Sequence, residues 1–345
     1  MTLKDLGWHP HFEAQLSETE RVEARAVRVM AVHRDALEVA GPSFEGRVPP
    51  LIEDEEALAT VGDWFLIERH APRALRVLEP RSVFKRKSAG TGRRVQLIAA
   101  NVDTLLLVTS ANQDFNPARL ERYLALAAEA EVTPVVVITK ADMAADAADY
   151  AVAARKLMPG LLVEALDARS GEAARVLAPW IGRGQTLALL GSSGVGKSTL
   201  VNSLSGHTLQ ATHGIREDDA KGRHTTTGRS LHRLASGAWL MDTPGMRELQ
   251  LIDAASGIDE VFEDVAQLMT QCRFSDCTHG NEPGCAVQGA LSSGALDADR
   301  LKRYRKLLRE ERHNSESIAE SRARSRKFGK MAKGVFAEKL RQRGF

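Results

Sequence analysis

Residues 191–199 read Gly-Ser-Ser-Gly-Val-Gly-Lys-Ser-Thr and follow directly on the apolar run Thr186-Leu187-Ala188-Leu189-Leu190. A glycine, four residues, then Gly-Lys-Ser between a short buried strand and a helix is the phosphate-loop pattern. It commits this part of the chain to a strand–loop–helix unit in an α/β layer. Glycines let the backbone curl until successive N–H groups point inward at phosphate oxygens, and the helix N-terminus adds its dipole. Gly191, Ser192, Ser193, Gly194, Val195, Gly196, Lys197, Ser198 and Thr199 would then surround a nucleotide's phosphates. Lys197 would reach the β- and γ-phosphates, and the Ser198 hydroxyl would ligate Mg²⁺. The alternative is a glycine-rich strand-to-helix turn without ligand; strand, loop, Lys-Ser and helix in one place argue against it.

A chain of 345 residues with 43% hydrophobic content is long enough for two or three domains with real cores. The net charge of +2 says little about partners until its distribution is considered. Neither a basic-then-apolar leader nor a run of about 18 apolar residues is found, so the expectation is a soluble, cytoplasmic protein with no membrane contact.

Residues 1–80 read as a small β-rich unit. Residues 22–29 alternate apolar and polar at period two, and 36–39, 44–48, 62–67 and 74–78 supply four more short strands between turns. Five such strands suggest an OB-like β-barrel, either a nucleic-acid platform or a purely structural module. Residues 81–95 are basic and rich in Gly, Ser and Thr, which reads as a linker, either solvated or lying on phosphates. From 96 to about 265 buried strands alternate with helices: 104–109, a helix from Ala118 to Glu131, 134–139, a helix to about Leu157, 161–165, a further helix, and then the phosphate-loop strand. That rhythm means a parallel sheet covered on both faces.

Thr139-Lys140-Ala141-Asp142 stands at the end of the strand 134–139, where a parallel sheet presents ligand-reading groups. The Asp142 carboxylate is acceptor-only and suits the ring N–H and exocyclic amine of guanine together, while the Lys140 stem can cover the base. Taken alone, Asp142 is equally a helix cap. Asp242-Thr243-Pro244-Gly245 follows the strand 238–241 and suits a Mg²⁺-associated carboxylate with the Gly245 N–H facing a γ-phosphate; a simple Pro-Gly turn is the other reading. Between these motifs residues 214–228 are polar and end in Gly-Arg-His-Thr-Thr-Thr-Gly, either a switch loop whose threonine completes Mg²⁺ coordination or an ordinary surface loop.

The order of these motifs carries the identification. The base-reading segment comes first, then the phosphate loop, the His-Thr-Thr-Thr loop and Asp242 to Gly245. In this the chain resembles the ribosome small-subunit-dependent, circularly permuted GTPases of the RsgA/YjeQ family, over essentially its whole length. The resemblance implies a multi-domain protein: an OB-like barrel (1–80), a linker (81–95), a circularly permuted GTPase domain (96–265) and a mostly helical zinc-binding domain (266–345). Three positions depart from the common pattern. Thr139 replaces the usual Asn, and Asp167-Ala168-Arg169 stands where Ser-Ala-Lys is common, with the Ala168 N–H aligned to the base. Met246 occupies the site of a catalytic Gln and cannot orient water by hydrogen bonding. The resemblance assigns that role to His224, with Lys197 the other catalytic residue, and Mg²⁺ ligation to Thr226, with Thr225 as competitor.

All three cysteines fall in one short segment: Cys272, four residues, Cys277, one residue, His279, five residues, Cys285. Three thiolates and one imidazole make a closed tetrahedral zinc site with no position left for a water, hence a structural site rather than a disulfide framework. From Arg300 to the end, 16 Lys/Arg face five Asp/Glu, which favours a phosphate-rich partner over a merely solvated helix face. Together with the resemblance, this implies a monomeric GTPase that binds GTP/GDP, Mg²⁺ and one Zn²⁺, engages the small ribosomal subunit and its rRNA late in maturation, and leaves on hydrolysis. The rival is a non-catalytic RNA-binding assembly module with nucleotide as a structural ligand.

Overall fold

The structure is a computed structural model that describes residues 1–50, 52–53, 56–71, 73–87, 95–206, 229–242, 246 and 249–315. Strands in the amino-terminal part are β1 (Ala24–Val32), β2 (Leu37–Gly41), β3 (Phe44–Val48), β4 (Ile52–Glu53), β5 (Glu56–Ala57), β6 (Trp64–Glu68), β7 (Ala74–Val77), β8 (Val83–Lys87) and β9 (Val95–Ala100). Two short helices precede them, α1 (Pro10–Glu13) and α2 (Glu18–Glu23). The first strand therefore begins two residues later than its alternation suggests. Ser17 and Glu20 form a reciprocal capping box that draws Val22 and Glu23 into α2, and Val22 is left 68% exposed.

β1 is central to this unit, antiparallel to β2 on one side and β6 on the other, with β3 and β7 outside them. Val27, Val29, Leu37, Val39, Val48, Phe65 and Ile67 form its own core. Among the described residues β3 and β7 do not pair, so the expected five strands are present as an antiparallel sheet in the order β3-β2-β1-β6-β7, without the bond row that would close a barrel. Strands β8 and β9 pair with each other across residues 88–94, which lie outside the described residues.

The next elements are β10 (Thr104–Ser110), α3 (Pro117–Glu129), β11 (Thr133–Thr139), α4 (Ala147–Arg155), β12 (Leu162–Ala165), α5 (Glu172–Val176), β13 (Thr186–Leu190), α6 (Lys197–Ser205), β14 (Arg229–Arg233) and β15 (Trp239–Asp242). Their order in the sheet is β12-β11-β10-β13-β15-β14, parallel except for β14. All seven residues of β10 are buried, as a central strand covered on both faces requires. Successive residues serve opposite layers. Leu105, Leu107, Val136 and Ile138 pack in the core that holds Leu120 and Leu124 of α3. Leu106, Val108, Val135 and Val137 pack with Leu200, Val201 and Leu204 of α6. Asn116 caps α3 by accepting from the Arg119 N–H, with Pro117 at the first helical position.

The chain closes with α7 (Ala255–Val261), α8 (Glu263–Thr270), α9 (Ala286–Ser293) and a helix over 298–315. α7 lies along α3, so the carboxy-terminal helices are continuous with the main core through Ile258, Val261, Phe262 and Leu301. Among the described residues no helix is long and apolar enough to cross a membrane.

Candidate functional site

Because β10, β11, β12, β13 and β15 run parallel, everything that follows their carboxyl ends emerges on one edge of the sheet. Four of the sequence motifs do so: Lys140–Asp142 after β11, Asp167–Arg169 after β12, Gly191–Gly196 after β13, and Asp242 at the end of β15. This is the edge at which doubly wound sheets take ligands. Hydrogen bonds between loops tie it together: the Leu166 N–H donates to Ile138 O at 2.9 Å, and the Ala111 N–H to Thr139 O at 2.9 Å.

The phosphate loop requires its glycines for two different reasons. A Cβ on Gly191 would lie 2.2 Å from Val108 O, closer than any side chain tolerates. Gly196, at φ +93°, turns the chain into α6 in the left-handed region that favours glycine. Lys197 opens α6, and its Nζ folds back over the loop, donating to Gly191 O at 2.8 Å and to Ser192 O. Ser198 and Thr199 follow in the first turn of the helix, while Val195 is buried beneath the loop. Ala188 of β13 stands beside Met241, which brings Asp242 alongside the start of the loop.

Residues 139–142 are hydrogen-bonded to the same loop. Thr139, fully buried, has its hydroxyl 2.5 Å from Val195 O and 3.0 Å from Thr109 O; its one hydrogen serves one of them at a time. The link to the phosphate loop expected of Asn is thus made by a shorter side chain. Lys140 has φ +58°, and its Nζ donates to Gly194 O at 2.9 Å. Asp142, in the short 3₁₀ turn Ala141–Met143, accepts from Arg169 Nη2 at 2.6 Å. The backbone N–H of Arg169 donates to Asp167 Oδ1, and this contact, aided by the Arg169 guanidinium, holds the Asp167 carboxyl below the usual carboxylate range. Ala168 between them is buried.

His224, Thr225, Thr226, Thr243, Pro244 and Gly245 lie outside the described residues. Met246 is described and 3% exposed, packed into the main core.

The second constellation is fully described. Cys272 follows α8, Cys277 and His279 lie in the loop, and Cys285 caps α9. The three sulfurs and one imidazole nitrogen lie within 4.8 Å of one another. Cys272 Sγ is 3.4 Å from His279 Nδ1 and 3.9 Å from Cys285 Sγ, and Cys285 Sγ is 3.8 Å from His279 Nδ1. Zn–S and Zn–N bonds of about 2.3 and 2.0 Å in a tetrahedron demand ligand separations of roughly 3.5–3.8 Å. The donor set therefore fits zinc. Burial opposes ionisation of the Cys272 thiol, but the N–H groups of Ala286 and Val287 at the start of α9 outweigh it and hold the thiol below its ordinary value. His279 sits at φ +60°, with its carbonyl accepting from Gln288 Nε2 at 2.8 Å and from Arg305 Nη2 at 2.9 Å. Glu282 takes the N–H groups of Thr278 and Gly280, at 2.9 and 2.6 Å, and so closes the loop.

Sequence reasoning did not anticipate two residues. Arg169 is engaged with the base-reading carboxylate, and Arg28 of β1 reaches the phosphate-loop strand, donating to Thr186 Oγ1 at 2.8 Å. The first had a signal in its alignment with the second base loop. Arg28 had none, since a lone polar residue between Val27 and Val29 breaks the alternation without indicating a partner.

The family model described as RsgA GTPase matches residues 77–252. A small ribosomal subunit biogenesis GTPase RsgA of Mesorhizobium japonicum is 51% identical over 319 residues, covering 91% of each chain. RsgA 2 of Vibrio parahaemolyticus is 47% identical over 340 residues, covering 99% of this chain and 94% of that one. Among solved structures, YjeQ from Thermotoga maritima superposes with a TM-score of 0.61 at 23% identity, covering 83% of this chain and 98% of that one. YloQ, a circularly permuted GTPase, gives 0.58 at 22% identity over 90% of this chain and 99% of that one. These two establish the fold, and the sequence relatives establish the rest: the chain belongs to the RsgA GTPase family.

Proposed function

We propose that this chain is a GTPase that binds the small ribosomal subunit and its rRNA, hydrolyses GTP to GDP and phosphate during late maturation, and is released by that hydrolysis. The observation that carries the reading is the convergence of four motifs, permuted in sequence, on one edge of one sheet. In this reading Asp142 accepts the ring N–H and amine of guanine, Lys140 covers the base, and the Ala168 N–H meets the base edge. The backbone of residues 191–196 wraps the phosphates, and Lys197 exchanges its carbonyl partners for β- and γ-phosphate oxygens. Ser198 and Thr226 are the residues to hold Mg²⁺, with Asp242 beside them and the Gly245 N–H on the γ-phosphate. The ion supplies neutralisation of the charge that develops on the phosphates. His224 orients the attacking water, the role that buried Met246 leaves open.

The amino-terminal unit, read as OB-like, and the basic carboxy-terminal residues hold rRNA from either side of the GTPase domain, with the four zinc ligands stabilising the latter. Domain limits of 1–80, 81–95, 96–265 and 266–345, a monomeric state and a cytoplasmic location complete the reading. Steady-state GTP turnover with and without small subunits tests it. We expect slow basal turnover, stimulation by subunits, loss of both in Lys197→Ala, and loss of stimulation with retained GTP binding in His224→Ala. Absence of both basal and stimulated hydrolysis in the unmodified protein would instead identify a non-catalytic assembly module.

A further inference from the structure

We infer that Arg169 sets how strictly the site discriminates guanine from hypoxanthine, by occupying one oxygen of the base-reading carboxylate. The inference rests on the reading of Asp142 given above. Arg169 Nη2 donates to Asp142 Oδ2 at 2.6 Å, while its Nε lies 3.3 Å from Asp167 Oδ1. The backbone N–H of Arg169 donates to that same Asp167 oxygen at 2.9 Å, so the root of the side chain is fixed even though the side chain is 65% exposed. Lys140, the other cation of the segment, is turned toward Gly194 O instead. Among the described residues, Asp142 therefore has one oxygen in an ion pair and one without a bonded cation.

The chemistry of the two bases turns on that asymmetry. Guanine offers two adjacent donors, the ring N–H and the exocyclic amine, and needs both carboxylate oxygens. Hypoxanthine has the ring N–H alone and is satisfied by the free one. A guanidinium on the second oxygen is either displaced by the amine or shares it, and in both cases draws off negative charge that the amine would use. Arg169 thus weakens the hold on guanine while leaving the hold on hypoxanthine untouched. The recurrent Lys of such loops is a single point charge, whereas the planar fork of Arg spans Asp142 and Asp167 together.

Affinities of the full-length protein for GDP, IDP and ADP test this, with Arg169→Ala and Arg169→Lys as variants. We expect Arg169→Ala to bind GDP about two- to five-fold more tightly, the range for breaking an exposed ion pair, with IDP affinity unchanged. The GDP:IDP ratio rises accordingly, and Arg169→Lys brings it back toward the wild-type value. Raising the salt concentration moves the wild-type ratio in the same direction as the alanine variant, because an exposed pair is screened. An unchanged ratio, or one that falls because Arg169 helps to hold guanine, overturns the inference while leaving Asp142 as the guanine reader. Equal binding of ADP and GDP by the wild type overturns that reading and the inference with it.

Discussion

Two buried arginines join the GTPase sheet to its neighbours, and they do so by opposite means. Arg28, from β1 in the amino-terminal unit, is 1% exposed and bonds to neutral oxygens only: Leu6 O at 2.6 Å, Thr186 Oγ1 at 2.8 Å, Gly62 O at 3.2 Å and Asn101 O at 3.3 Å. Arg300, from the helix over 298–315, is held by carboxylates. It meets Glu121 of α3 at 3.0 Å and Asp264 of α8 at 2.9 Å, donates to Val261 O and Leu157 O, and lies over the Phe262 ring. Glu121 is wholly buried and also takes Arg303 at 2.7 Å. The first anchor gives its guanidinium neutral hydrogen-bond acceptors only; burial pulls it down to about 10 against the raising influence of nearby Asp103 and Asp63, and it stays protonated at neutral pH. The second balances charge with charge. The lesson is that the amino-terminal joint sets one buried cation among neutral acceptors beside a strand pairing of β1 with β14 and the Asp5–Arg183 ion pair, whereas the carboxy-terminal joint shares its load among several buried ions.

Removing the metal should have the largest effect and should fall on one side only. Cys277→Ser, or chelation, is expected to abolish binding of one zinc per chain and to release residues 272–285, since such sites supply on the order of 10 kcal/mol of local folding energy. Metal analysis and hydrogen exchange read this out. Loss of protection around Arg28 as well would break the separation of the two joints.

Arg28→Met comes next. It leaves four oxygens short of a donor and deprives buried Asp63 of its nearby cation, at an expected cost of about 3–5 kcal/mol by chemical denaturation. Glu121→Gln should cost less, about 1–3 kcal/mol, because the amide oxygen can still accept, and Arg300, though it loses one of its two carboxylates as Arg303 loses its own, keeps Asp264 and two carbonyls. A Glu121→Gln penalty equal to that of Arg28→Met would show that the charged joint shares its load no better than the neutral one.

A separate test of the amino-terminal joint is a pH slope. Burial pushes the Asp63 carboxyl up to about 7, against the lowering influence of the Thr60 N–H and Arg28. Between its unfolded value of 3.8 and about 7 the folded chain holds a proton that the unfolded chain has lost. This group's contribution to stability is therefore complete at low pH, declines as pH rises across that window, and is flat above it. Asp63→Asn should remove that decline, measured as stability against pH; an unchanged slope would show that Asp63 is ionised in the folded protein throughout.

Legibility in the sequence followed locality. The loop between β13 and α6 and the Cys/His cluster were legible because each is a short stretch with its own spacing, and the four Cys and His donor atoms do lie together. The strands of the sheet were readable because a strand buried on both faces is a continuous apolar run. Val22 and Glu23 were misread as strand because alternation is blind to a capping box five residues upstream. Thr139 was legible as a departure, but that its hydroxyl would still reach Val195 O followed from how closely β11 passes the loop.

What the sequence by itself determined is the order of the motifs, the donor set of the metal cluster and the family they declare. Only the tertiary structure decided that four motifs scattered over a hundred residues share one edge, since strand order is set by which apolar faces meet and not by chain order. It also decided the fate of the arginines. Arg28 lies opposite Val27 and Val29, on the face of β1 it shares with Ala24 and Ala26, and oxygens of Leu6, Gly62, Asn101 and Thr186 brought there from distant parts of the chain turn a residue type that signals solvent into a buried joint. A one-dimensional pattern records which face of an element is apolar; it holds no information about what is laid against the other.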